Sequence, residues 1–293
     1  MTQALVRGTV RVAAAVAALA LVAAGCGGDD GGASGDPGPV HVHGLGIDPA
    51  DGALYIATHT GLFRVGADER TPTRVGELFQ DTMGFIVVGP KRFLGSGHPD
   101  LREAQARGLP PHLGLVESRD GGLTWQSVSL LGEADFHVLR HAHDRIYGYD
   151  VLHERLLASR DGGRSWEQLP TPGRILDFEA HPESPSTLVA VAGGGEADGL
   201  FLTRDGGVTW TRVAGTIGLL AWPAPARLYV VRADGTVLVS EDGGATARVV
   251  GDVSGEPAAL LAAGPEELLV ALHDGTVQRS ADGGATWSVR SSP

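Results

Sequence analysis

One eight-residue pattern occurs five times in this chain, and its spacing limits the fold more than any other feature. It first reads Ser118-Arg119-Asp120-Gly121-Gly122-Leu123-Thr124-Trp125 and returns at Ser159–Trp166, Thr203–Trp210, Ser240–Ala247 and Ser280–Trp287. The starts lie 41, 44, 37 and 40 residues apart. A near-constant period of about 40 residues with strand-like flanks is the mark of propeller blades, each a small sheet that must bury its faces against its neighbours. The residue types explain the pattern. Asp-Gly-Gly makes a hairpin corner in which glycine accepts φ > 0, and the carboxylate of Asp120, Asp161, Asp205, Asp242 or Asp282 accepts hydrogen bonds from turn amides. The Trp one strand later supplies a large apolar face to pack between blades; in the fourth copy Ala247 takes its place. Turn capping accounts for these aspartates without a role in chemistry.

Extending the register outward gives a unit of four strands: an apolar inner strand, a second strand, a third running into the corner, and a fourth after the Trp. Inner strands are expected near Val40, Met83, Asp135, Ile175, Ile217 and Ala258. The first unit lacks the corner motif, but its Gly61-Leu62-Phe63-Arg64 aligns with Gly199-Leu200-Phe201-Leu202 of the fourth. Six units between Val40 and Arg290 average about 42 residues, within blade length. The expected fold is all-β, a six-bladed β-propeller of four-stranded antiparallel blades over residues 40–293, with seven blades as the alternative. The sixth unit is complete through Val289, so no strand exchange between the ends is required.

The motif resembles the Asp-box, or BNR repeat, of sialidase-like propellers, a family that includes sialidases, sortilin-type receptors, xyloglucanases and photosystem assembly factors. The resemblance implies that the corners lie on one face and that ligands bind on the other, among the inner-strand starts and the second-to-third-strand loops. It does not extend to the sialidase catalytic set, which needs an Arg-Ile-Pro near the first inner strand, an arginine triad and a late Tyr-Glu pair. Here that strand reads Val40-His41-Val42-His43, and Tyr229, the last tyrosine, has no evident glutamate partner.

Ahead of the repeats, Arg7 and Arg11 precede a thirteen-residue apolar run, Val12–Ala24, which ends in Gly25-Cys26. The run falls short of the about 20 residues that span a bilayer, so residues 1–25 are expected to be a signal peptide. Cys26, the chain's one cysteine, excludes an intrachain disulfide and a cysteine-cluster metal site. Its setting resembles the lipobox of bacterial lipoproteins, in which this cysteine is acylated; Ala23 stands where that family more often has Leu. The expectation is anchoring on the outer face of the cytoplasmic membrane, with a soluble secreted form as the alternative, and a flexible Gly/Asp/Pro tether over residues 26–39. The formal charge is −12, or −14 without Arg7 and Arg11. An acidic chain with no basic patch is not a nucleic-acid binder.

Ten of the eleven histidines lie between His41 and His181, in blades 1 to 4. His41, His43, His59, His98 and His137 are candidate metal ligands, with Asp135 and Met83 as further donors. Imidazole suits zinc, copper or iron, and zinc or copper is the expected cofactor. Hydrogen bonding across a polar channel would equally account for these histidines. The longest insertion, His98 through His112, lies on the expected ligand face, where long loops on a rigid scaffold carry function. Two further readings compete: a glycosidase using Asp135, Asp150, Asp177 or Glu179 as acid and nucleophile or base, and a cell-envelope interaction scaffold. Expected ligands are thus a metal, a glycan or another small molecule. Phe93, Tyr147, Tyr149 and Trp222 are either sugar-stacking faces or packing between blades.

Overall fold

The computed structural model describes residues 36–193 and 198–293; the expected signal peptide, Cys26 and most of the tether lie outside them. Pro37–Pro293 form one unit of six four-stranded antiparallel sheets, each with its strands in sequential order. The chain is thus a six-bladed β-propeller, and six is the blade number. The inner strands are Val42–Ile47, Asp81–Gly89, Phe136–Ala142, Arg174–Ala180, Leu219–Ala224 and Pro257–Ala262, each starting within two residues of the position expected from the repeat. Each blade pairs within itself, so the sixth borrows no strand from the first.

Every junction between neighbouring blades holds its own apolar cluster. Blades 1 and 2 meet around Tyr55, Leu62, Phe85 and Phe93; blades 2 and 3 around Leu94, Leu115 and Phe136; blades 3 and 4 around Tyr147, Tyr149 and Phe178. The ring closes through Val42, Ile56 and Phe63 of blade 1 packed on Leu269, Ala271 and Val277 of blade 6. Beside that seam the Arg290 guanidinium donates to the carbonyls of Gly66, Ala67 and Glu69. Phe93, Tyr147 and Tyr149 are almost wholly buried at these junctions, so their role is packing, not sugar stacking.

The corners do two jobs. In the first, Asp120 Oδ1 accepts the Thr124 amide (2.9 Å) and the Ser118 hydroxyl (2.8 Å), and Oδ2 accepts the Thr124 hydroxyl (2.6 Å). The other four repeat this net. Gly121 and Gly122 take φ of 78° and 90°, in the left-handed region that glycine tolerates. Gly122 also seats the preceding blade: a Cβ there would lie 2.3 Å from Leu62 Cδ2, and Gly163 and Gly244 stand in the same relation to Leu115 and Leu200. Four corner tryptophans pack into the junctions. Where Ala247 replaces the fifth, Trp222 of the blade-5 inner strand fills the junction with blade 4.

The one helix among the described residues, Leu101–Arg107, lies in the blade-2 insertion. No described helix is long and apolar enough to cross a membrane.

Candidate metal-binding rim

Antiparallel order decides which residues share a face. The start of each inner strand and the loop joining second to third strand lie at one end of a blade, and the Asp-Gly-Gly corners lie at the other. All five candidate histidines therefore fall on the face opposite the corners.

Strict alternation along the inner strands does not explain which side chains reach the axis. Pairing with the second strand slips between Val42 and Gly44, Thr82 and Phe85, Phe136 and Val138, Ile175 and Asp177, and Pro257 and Ala259. A bulge leaves an extra residue unpaired and re-aims its side chain. The extra residues include His43, Met83, His137, Leu176 and Ala258, and each of these lines the central channel, a cavity of about 780 Å³. Below this ring the wall is mainly apolar, with Leu45, Phe85, Val87 and Leu260.

The candidates do not converge on a single centre. His43 and His59 of blade 1 meet Asp81 of blade 2, while His98 and His112 of blade 2 meet Asp135 of blade 3; within each group the donor atoms lie inside 4.8 Å of one another. In the first triad His59 Nδ1 lies 2.8 Å from Asp81 Oδ2 and His43 Nε2 lies 3.5 Å from Asp81 Oδ1. Burial, reinforced by His137, His59, His41 and His273, pushes the His43 pKa down to about 4, which keeps the imidazole neutral and its lone pair available. Burial pushes the Asp81 carboxyl up, against the pull of His59.

In the second triad Asp135 Oδ2 lies 3.7 Å from His98 Nε2 and 3.9 Å from His112 Nδ1. The Asp135 side chain is only 5% exposed. His98 Nδ1 donates to the carbonyl of Pro111 at 2.8 Å, which turns Nε2 toward Asp135, the usual orientation of a ligating histidine. His137 is a supporting partner: its Nε2 lies 3.1 Å from Asp135 Oδ2. His41, in a left-handed backbone conformation (φ 53°), stands edge-on to His59 at 6.2 Å between ring centroids and belongs to neither triad. Met83 lines the channel wall.

Four buried donor atoms of the triads have no hydrogen-bond partner: His43 Nε2, Asp81 Oδ1, His112 Nδ1 and Asp135 Oδ1. Buried polar atoms are nearly always paired, and an orphan costs about 1–3 kcal/mol. Sequence reasoning missed Asp81 and His112. A signal for Asp81 was present: like Asp135, it stands two residues before the bulged channel-lining residue of its blade, as Asp81/Met83 and Asp135/His137.

The other carboxylates are engaged elsewhere. Asp150 is fully buried; Oδ1 accepts the amides of Asp135 (3.0 Å) and Leu152 (3.2 Å), and Oδ2 pairs with His153 and Arg155 (both 2.8 Å). Burial alone would raise its pKa, but these partners hold it low. It fixes the backbone of Asp135. Asp177 and Glu179 line the channel and share one guanidinium: Arg140 donates to Asp177 Oδ1 (2.7 Å) and to Glu179 Oε1. Asp177 Oδ2 also accepts the Leu220 amide at 2.8 Å. Burial, opposed by Arg140 and aided by Asp177, raises the Glu179 pKa to about 7. Trp222 is nearly buried, but its edge lines the channel.

No protein-family model matches the chain, and no curated protein matches it. Solved structures do. A structure titled YCF48 bound to D1 peptide superposes at a TM-score of 0.53 with 15% identity, over 87% of this chain and 82% of that one. The GH74 enzyme of Niastella koreensis gives 0.59 and 15% over 87% of this chain, and the GH74 xyloglucanase of Xanthomonas campestris gives 0.56 and 17% over 86%. The chain spans 46% and 45% of the length of those two enzymes. At such identities the likeness is one of propeller fold, and the chemistry of this rim has to be read from its own residues.

Proposed function

We propose that this chain is an exported, lipid-anchored Asp-box propeller that binds a divalent transition metal, zinc or copper, at its histidine-rich rim. The observation that carries the reading is the set of four orphaned donor atoms, one imidazole nitrogen and one carboxylate oxygen in each triad. In the first triad the two orphans, His43 Nε2 and Asp81 Oδ1, lie 3.5 Å apart, so a cation between them satisfies both at once, and in each triad two imidazoles with one carboxylate are a donor set for zinc that leaves a fourth position open. Asp150 beneath Asp135 and His137 beside it hold that carboxylate in place, as outer-shell partners of a metal site do.

The test is metal content and titration of the full-length chain. Zinc or copper should bind at about two equivalents, one per triad, falling by one equivalent in His43→Ala and by one in His112→Ala. Protein that takes up neither metal would end the proposal. The anchor rests on the apolar run before Cys26; Cys26→Ala should release the chain from membranes and abolish acyl labelling.

Glycoside hydrolysis is the second reading. It is favoured by Asp177 and Glu179 facing the channel, with Glu179 half-protonated near neutrality, as a general acid requires. Aryl-glycoside turnover lost in Glu179→Gln would support it.

A further inference from the structure

We propose that the second triad is a clasp: one divalent ion held by His98, His112 and Asp135 locks the blade-2 insertion, residues 99–111, onto blade 3. This deepens the metal reading above and rests on it. Three observations point to the clasp. The first is where the ligands stand in the chain. His98 and His112 bracket the insertion and Asp135 belongs to the next blade, so a single ion would tie both ends of the loop to a neighbouring sheet.

The second is how little else holds the insertion. No residue of its helix is buried, and beneath the segment lies a hollow of about 90 Å³ lined by Leu78, Leu109, Leu113 and Trp125. A helix this short is not stable by itself, and packing does not supply what is missing. Its order depends on polar contacts. Asp100 caps the helix through the Arg102 amide (2.7 Å) and accepts the Phe79 amide (2.9 Å), and the ends are held by His98 Nδ1 to the Pro111 carbonyl (2.8 Å) and the Gly132 amide to the His112 carbonyl (2.9 Å).

The third is the state of the donors. His112 Nδ1 is buried and unpaired, and it lies 3.9 Å from Asp135 Oδ2, the same oxygen that His98 Nε2 faces at 3.7 Å and His137 Nε2 at 3.1 Å. The first triad has no such role: its ligands do not bracket an insertion, and His59 is 61% exposed.

Limited trypsinolysis of the full-length chain, read by mass spectrometry at Arg102 and Arg107, tests the clasp with zinc alone as the probe. Both arginines lie in the helix, and cleavage there requires the segment to open. Zinc should slow these two cuts at least about tenfold relative to chelator, roughly the effect of ten-fold fewer open molecules. His112→Ala and, as an independent variant, His98→Gln should each bind one equivalent less and be cut at the same rate with and without zinc. His43→Ala should lose the other equivalent and keep the protection. If His112→Ala loses an equivalent while zinc leaves the wild-type cuts unchanged, the clasp is wrong and the metal reading stands. Protection that disappears in His43→Ala would also overturn it. If no zinc binds at all, both fall together.

Discussion

The Glu179 carboxyl couples stability to pH in a direction opposite to that of most acidic groups. Its pKa is about 7 in the fold against 4.5 for the free side chain, so the folded state binds the proton more tightly. The stability this contributes is fully present below the unfolded value and is lost as pH rises through the folded one. At about 1.36 kcal/mol per pKa unit, going from about pH 5 to about pH 8 removes about 2.5 kcal/mol through this one group. Glu179→Gln keeps an oxygen acceptor for Arg140 and cannot ionise. Its stability relative to wild type should therefore rise by about 2.5 kcal/mol across that range, a midpoint difference of roughly 0.8 M urea for a slope of about 3 kcal/mol/M. Asp177, also pushed up by burial, titrates in the same sense. The assay is equilibrium urea unfolding of both proteins in chelator at the two pH values. Parallel pH dependences, or a wild type that gains on the variant as pH rises, would refute the account of a desolvated carboxylate in the channel wall.

Two packing predictions follow from the blade junctions. Phe136 has no exposed surface and lies 5.0 Å, ring to ring, from Trp166; Phe136→Ala should cost about 3–5 kcal/mol in chemical denaturation. Gly122→Ala meets both a left-handed backbone and Leu62 at 2.3 Å, and should lower stability by more than the roughly 1 kcal/mol of a left-handed conformation alone. The control is Gly206→Ala, at the first glycine of another corner, where an added Cβ meets nothing within 4 Å; equal losses at the two positions would show that inter-blade seating contributes nothing.

The sequence by itself determined the ring and its polarity. A corner built from Ser or Thr, Asp and two glycines closes its hydrogen bonds within eight residues, so its chemistry is visible without any tertiary contact, and its period gives the length of a blade, while the closed ring decided six blades against seven. Once four antiparallel strands per blade are granted, which loops share a face with His43, His98 and His137 is a matter of parity. The first blade shows the limit of that local signal: it has no corner motif, yet Gly61–Val65 still forms its third strand.

Only the tertiary structure decided which side chains meet. His43 and His137 reach the channel through bulges, and a slip of register depends on how the inner strand packs in the closed ring, which no short pattern encodes. Of the five candidate histidines, His43 and His59 enter one triad and His98 the other, because each triad takes its histidines from one blade and its carboxylate from the next; His41 and His137 enter neither. Asp81 and His112 entered on that ground alone. Asp150, read from sequence as a candidate acid, lies beneath the rim with both oxygens engaged, and Asp177 and Glu179 are held by one arginine of the neighbouring blade. Hydrogen bonds between blades set these environments, and the residues that make them lie up to 43 positions apart in the chain.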